Sequence, residues 1–284
     1  MQFTTAEFRA WPQKNITLLG MSGVGKTYLS HQLRQQGWFH YSGDYRIGTR
    51  YLDEEILDLI KTQAMQVPFL CDLLRNDWIS IHNNIKITDL GPVLAYIGKL
   101  GDPEQGGINL AEFKRRQIQY RNAEIAAMQD VPAFIQKARD VYGYQHFIND
   151  AGGSLCELNA PDMLNQLAEH TLLLYIKVTH AAEQQALIER AQQAPKPLYY
   201  QPAFLDEYLS RYLREHNLTY AAEIAPDAFA RWVFPYLFQA RVPRYTQIAQ
   251  QGYTVTAAEV AQVRDESDFL QLVETAIARQ NVTA

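Results

Sequence analysis

Gly20-Met21-Ser22-Gly23-Val24-Gly25-Lys26-Thr27 is the stretch that decides the fold of this chain. It fits the spacing G-x-x-x-x-G-K-[ST]. In that pattern glycines let backbone N–H groups curl around a phosphate, and the following helix N-terminus adds partial positive charge. Its surroundings fit too. Ile16-Thr17-Leu18-Leu19 reads as a buried strand, and Thr27-Tyr28-Leu29-Ser30-His31-Gln32-Leu33 as an amphipathic helix. Lys26 is then expected to reach the β- and γ-phosphates of a nucleoside triphosphate, with the Thr27 hydroxyl able to ligate Mg²⁺. The nucleotide-holding residues are expected to be Gly20, Ser22, Gly23, Val24, Gly25, Lys26, Thr27 and Tyr28. A ligand-free glycine-rich turn is the plainer alternative, and four fixed positions in the right strand–helix context weigh against it.

The composition sets outer bounds. Of 284 residues, 47% are hydrophobic and 20% charged, enough for a substantial core in one large domain or two small ones. A formal charge of −5 argues against a nucleic-acid partner, whose footprint is usually basic. The longest apolar run, near Leu172-Leu173-Leu174-Tyr175-Ile176, is far too short to span a membrane. Met1-Gln2-Phe3-Thr4-Thr5 shows no basic region leading into an apolar stretch, so no secretory leader is expected. Cys71 and Cys156 are far apart and form no C-x-x-C pair, which points away from metal or disulfide roles and towards the cytoplasm. Oligomeric state cannot be read from the sequence.

Working outward from the phosphate loop, residues 1–14 form a short leader whose Phe8 and Trp11 are expected to pack. Trp38-Phe39-His40-Tyr41 reads as a second strand ending at Ser42-Gly43-Asp44. His146-Phe147-Ile148-Asn149 reads as a third, ending in Asp150-Ala151-Gly152-Gly153. The fourth, Leu172 to Val178, is apolar throughout, as in a strand covered on both faces. Gly252 to Thr256 completes five. Between them helical periodicity runs from Tyr51 to about Tyr142, broken at Gly101–Gly107, and from Ala181 to Ala191. A proline- and tyrosine-rich break at Pro195–Pro202 follows, then helices over 204–216, 227–249 and 259–279. This alternation predicts an α/β fold of the P-loop nucleotide-binding kind: a parallel five-stranded sheet, helices on both faces, and helical insertions. The chain reads as a single domain, 1–284, with a helical insertion at about 51–140 and a lid or insertion at about 194–232. Ligands in such sheets gather at the carboxyl ends of the strands. The phosphate loop, Asp44, and Asp150 with Gly152-Gly153 are therefore expected to converge.

These pieces in this order resemble the shikimate-kinase-like branch of P-loop small-molecule kinases, with gluconate and adenylate kinases as more distant relatives. The resemblance covers about half the chain. It implies that Asp44, after strand two, binds Mg²⁺ or the acceptor, and that Gly152-Gly153 lies against the acceptor. It implies that Arg190 lies against the adenine and that Lys196-Pro197-Leu198 takes the place of an Arg-Pro-Leu lid signature. Arg241, followed by Tyr245 and Ala249, matches a late Arg-x-x-x-Tyr-x-x-x-Ala stretch whose arginine contacts the acceptor. The chain departs from the pattern in several places. Lys196 puts a point charge where a planar fork is usual. Ala151 replaces the first of three glycines, and Glu112-Phe113-Lys114-Arg115 follows the Glu-Phe-Arg acceptor segment only loosely. The chain is also much longer, with the excess between Tyr51 and Glu112 and between Tyr199 and Trp232, which implies an acceptor other than shikimate.

The expected activity is ATP-dependent phosphoryl transfer to a small-molecule acceptor, with ATP and Mg²⁺ as cofactors. Lys26, Asp44, Lys196 and Arg241 form the expected catalytic set, and Thr27 and Asp150 the metal ligands. Asp44, Arg46, Arg50, Lys114, Gly152, Gly153 and Arg241 are expected at the acceptor. Each has a plainer reading. Asp44 could be a helix N-cap, and Asp150 a turn former before glycines. Arg46, Arg50 and the run Lys114-Arg115-Arg116 could be solvated helix faces. Two other functions stay open: a nucleotide-hydrolysing regulatory ATPase whose helical insertion meets a partner, and a binding protein with a degenerate site. GTP is not excluded as donor, since no Asn-Lys-x-Asp motif is present.

Overall fold

The computed structural model describes residues 2–283. Five strands form one parallel sheet: β1 (Asn15–Leu19), β2 (Trp38–Ser42), β3 (His146–Asp150), β4 (Leu172–Lys177) and β5 (Tyr253–Thr256). Their order is β2-β3-β1-β4-β5. All five residues of β1 are buried, as its central place requires. In the register, Asp150 lies opposite Leu18 on one side and Ser42 on the other. The carboxyl ends of β1, β2 and β3 are thus level.

The chain reverses its direction across the sheet after β2. Because crossovers between parallel strands are right-handed, this reversal puts the following helices on the opposite face. Lys26–Gln35 packs on β2 and β3 from one side. Val131–Asp140 packs on the same two strands and against Pro161–His170 on the other. The parallel five-stranded α/β fold expected from the sequence is the fold found. Among the described residues, no helix is long and apolar enough to cross a membrane.

Contacts divide the chain into two compact units. The first holds the sheet: the chain up to Gly43, Met128–Pro195, and the chain from Arg231 onward. Its leader is packed. Thr4 and Glu7 form a capping box at the start of helix Thr5–Ala10, Phe8 is fully buried, and Trp11 stacks on Phe3 at 4.8 Å. One boundary differs from the sequence expectation. Helical periodicity runs on from Glu259, yet the helix Ala257–Val260 stops and a second one, Glu266–Thr283, begins. The side chain of Gln32 donates to the carbonyls of both Val263 and Arg264 at this break. It supplies the partners that a continuous helix would have given them.

The second unit comprises Asp44–Ala127 and Lys196–Ala230. Its helices include Asp53–Ala64, Pro68–Arg75, Gly91–Ile97, Pro202–Glu215 and most of the long helix Leu110–Gln129. Helical structure here is more interrupted than the sequence suggested. Asp77 adopts positive φ (55°) just beyond the second of these helices, Pro68–Arg75, and no helix forms from there to Leu90. Just after Asp44 the backbone widens into a π-helical turn, Ile47–Tyr51. Gly48 within it leaves room for Val93, whose Cγ2 would stand 2.5 Å from an added Cβ.

Candidate functional site

The loop after β1 has the form a phosphate cradle needs. Gly20, Gly23 and Gly25 have φ of 145°, 88° and 100°, values in which L side chains are strained. At Gly20 an added Cβ would also lie 2.8 Å from the Ile176 carbonyl oxygen, so β4 walls the loop at that point. Lys26 opens the helix Lys26–Gln35 and is buried. Its ammonium donates to the carbonyls of Gly20 at 2.7 Å and Met21 at 3.0 Å. A buried ammonium needs such partners, and here the loop itself provides them. Ser22, Thr27 and Tyr28 are exposed. Helix Ala181–Gln193 passes the loop with Leu187, whose Cδ2 would meet a Cβ on Gly23 at 3.2 Å. Arg190 lies one turn further along that helix and is exposed.

At the end of β3, Asp150 is buried beside the imidazole of His40 on β2, with Oδ2 and Nε2 3.8 Å apart. The His40 ring meets that of His31 edge-on at 5.4 Å. Burial holds His31 below its ordinary pKa, helped by the His40 and Arg34 charges and opposed by Asp150. The Gly152-Gly153 turn then lies against the phosphate loop. An added Cβ on Gly153 would stand 2.9 Å from the Ser22 amide nitrogen and 3.4 Å from its Cα. Only glycine permits that approach.

Arg241 does not project into open space. It is 2% exposed and paired with Glu157, which is fully buried. Nε and Nη2 both reach Glu157 Oε2, at 2.8 and 2.6 Å, and Nη1 donates to the Gly153 carbonyl at 3.0 Å. Burial opposes the Arg241 charge, and the adjoining Glu157 charge outweighs it, raising its pKa above the ordinary value. One turn on, the Tyr245 hydroxyl donates to the Gly152 carbonyl at 3.4 Å and its ring stacks on Tyr175. Burial pushes the neighbouring Cys156 thiol up to about 12, which leaves it unreactive at neutral pH.

The remaining expected residues belong to the second unit. Asp44 sits in the first turn of the short helix Gly43–Arg46, one residue inside it and so past the N-cap position. It accepts a hydrogen bond from the Tyr120 hydroxyl at 3.3 Å. The Arg46 guanidinium lies over the Tyr51 ring at 5.6 Å, and Arg50 is exposed. Lys114 is ion-paired with Asp206, and Lys196 is exposed. The Glu112 segment is knit to itself: Arg115 grips both Glu112 oxygens at 2.7 Å, and Arg116 adds a third bond at 2.6 Å. Hydrogen bonding from Arg115 chiefly, against burial and with help from Arg116, brings Glu112 down to about 2.

Four residues that sequence reasoning passed over now matter: His40, Gln117, Tyr120 and Glu157. Gln117 is buried on the long helix. Its amide donates to the Leu198 carbonyl at 3.2 Å and accepts from the Tyr200 N–H at 2.8 Å. Next to it, the Tyr120 ring stacks on Tyr199 with centroids 6.2 Å apart. The proline-rich segment is thus fastened from Leu198 to Tyr200. The one available signal was a polar stripe, Arg116, Gln117, Tyr120 and Glu124, at helical spacing where an apolar face would be usual.

No family model matches the sequence, and no curated protein matches it. Among solved structures, a shikimate kinase from Bacteroides thetaiotaomicron is similar with a TM-score of 0.40 and 15% identity, over 95% of this chain and 98% of that one. A shikimate kinase from Acinetobacter baumannii, in complex with shikimate, gives a TM-score of 0.37 and 15% identity, over 98% and 97%.

Proposed function

We propose that this chain is an ATP-dependent kinase that phosphorylates a small-molecule acceptor. One observation carries the reading. The Lys26 ammonium is held inside a loop of left-handed glycines, at the carboxyl end of β1 and the start of a helix. That arrangement suits a triphosphate, because backbone N–H groups, helix dipole and ammonium all favour anions. The Thr27 hydroxyl and the Asp150 carboxylate are hard oxygen donors of the type Mg²⁺ takes, directly or through water. Bound Mg²⁺ would neutralise charge on the β- and γ-phosphate oxygens.

In this reading the bond from the γ-phosphorus to the β–γ bridging oxygen breaks, and one forms to an acceptor oxygen. Lys26 stabilises charge on the departing diphosphate, while Asp44 orients the acceptor and takes its proton. Lys196 brings a further cation, and Arg190 flanks the base. Such chemistry asks mostly for positioning and neutralisation.

Thermal unfolding with Mg·ATP, alone and with a panel of phosphorylatable metabolites, tests the proposal. Saturation at a hundred times Kd stabilises by about 2.7 kcal/mol. Lys26→Ala should remove that stabilisation while keeping the fold. Undiminished ATP affinity in folded Lys26→Ala protein would sink the reading.

A regulatory ATPase is the second reading, favoured by one observation. Phe69 and Trp78 in the second unit are 71% and 72% exposed, large apolar side chains of the sort partners cover. ATP hydrolysis that no acceptor accelerates would favour it.

A further inference from the structure

The Gly152-Gly153 turn lies against the phosphate loop, yet it has no side chains with which to fasten itself. Its carbonyls are held instead. Gly153 O accepts from Arg241 and Gly152 O from Tyr245, two residues one turn apart on helix Pro226–Ile248. Arg241 is itself fixed by Glu157, so three of its nitrogens are engaged on Glu157 and Gly153. The pair is not an economical way to stabilise a core. Both charges are out of water, and Glu157 Oε1 has no hydrogen-bond partner among the described residues. Apolar residues of similar volume would usually do as well or better for stability alone.

We propose that Arg241 and Glu157 are positioning residues for the phosphate loop. They clamp the Gly152-Gly153 turn against Ser22, so that the Ser22 amide stays aimed into the cradle. This assigns Arg241 to nucleotide binding, where the sequence resemblance implied an acceptor contact. The inference rests on the proposal that the loop binds ATP, and it names how that site is held in shape.

The test is Mg·ATP binding by titration calorimetry, at a temperature where circular dichroism shows each variant folded. Arg241→Met/Glu157→Leu replaces the pair with apolar groups and releases the Gly153 carbonyl. Its Kd for Mg·ATP should rise at least about tenfold, the weight of one hydrogen bond to an anion. Arg241→Lys, which keeps the charge and loses the fork, should fall between. Gly153→Ala is the second route should the double variant fail to fold. It pushes on Ser22 directly and should weaken Mg·ATP by a similar factor. Wild-type affinity in either folded variant overturns the inference, as does a loss of transfer with ATP binding intact, which would put Arg241 on the acceptor. Failure of the wild-type protein to bind Mg·ATP overturns the underlying functional reading instead.

Discussion

Replacing Gln117 with leucine should loosen the proline-rich segment by an amount that the structure sets. Leucine fills similar space but offers no polar atom. Two hydrogen bonds disappear, those to the Leu198 carbonyl and from the Tyr200 N–H. The losses are unequal. Tyr200 is 4% exposed, so its N–H is stranded away from water, at a cost of about 1–3 kcal/mol. Leu198 is only half-buried; its carbonyl can turn to solvent, leaving about 0.5–1.5 kcal/mol for that bond. The expected destabilisation of the second unit is therefore about 2–4 kcal/mol. Hydrogen exchange at the Tyr200 amide is the direct assay, with urea unfolding beside it. Exchange should accelerate by roughly 30-fold or more in Gln117→Leu, the equivalent of about 2 kcal/mol of easier opening. Unchanged Tyr200 protection in Gln117→Leu, with stability within about 0.5 kcal/mol of wild type, would refute the clamp. The clamp also limits any lid: nucleotide-dependent proteolysis should alter cleavage at Ala194–Pro197 and leave Leu198–Tyr200 resistant.

Other consequences can be checked separately. Glu112→Gln should remove about 1–2 kcal/mol at neutral pH, after screening of a partly exposed group. Because folding lowers the Glu112 pKa from 4.5 to about 2, its contribution is full above 4.5 and is lost as pH falls towards 2. Acid titration of stability should therefore be shallower in the variant over that range, and superimposable acid limbs would contradict the assignment. If Tyr120 serves Asp44, Tyr120→Phe should slow turnover in the wild-type background and have no further effect on Asp44→Asn; additive losses would show independent roles. Gly48→Ala should destabilise by about 1–3 kcal/mol through overpacking against Val93 and Ile85, measured by urea unfolding. A variant as stable as wild type would mean the π-helical turn can shift to make room.

The sheet and the phosphate loop were legible because their signals are local. Apolar runs such as Leu172–Ile176 and fixed glycines around Lys26 carry their meaning within a few residues. The second unit was legible only as helical stretches, since its clamp joins Gln117 to Leu198 and Tyr200, and a glutamine inside a helical pattern carries no sign of a partner 81 residues away. Arg241 shows the converse. Its place in the Arg-x-x-x-Tyr pattern was readable, and the structure sets Arg241 and Tyr245 one turn apart on one helix. Its partner was not, because Glu157 lies 84 residues earlier in a short 3₁₀ turn with no periodicity. Asp44 was double in meaning for a physical reason, since in the sequence an aspartate at a strand end suits capping and chemistry alike, and the helix start at Gly43 that tells against capping has no local signal.

The two-piece construction of the second unit has a bearing on how the protein is made. Its first piece ends at Ala127 and its second starts at Lys196, so residues 128–195, 68 in all, leave the ribosome between them. At about 5–20 residues per second, that interval lasts roughly 3–14 s. Throughout it, Gln117 has no Leu198 or Tyr200 to hold, Lys99 no Asp227, and Lys114 no Asp206. The sheet gains β3 and β4 during the same wait, while β5, at Tyr253–Thr256, is the last strand to arrive. A nascent chain halted before Lys196 thus carries four strands of the sheet and only the first piece of the helical unit, without the partners that the second piece supplies. That is the window in which a chaperone would bind it, and in which slower or faster decoding of residues 128–195 would alter the yield of folded protein.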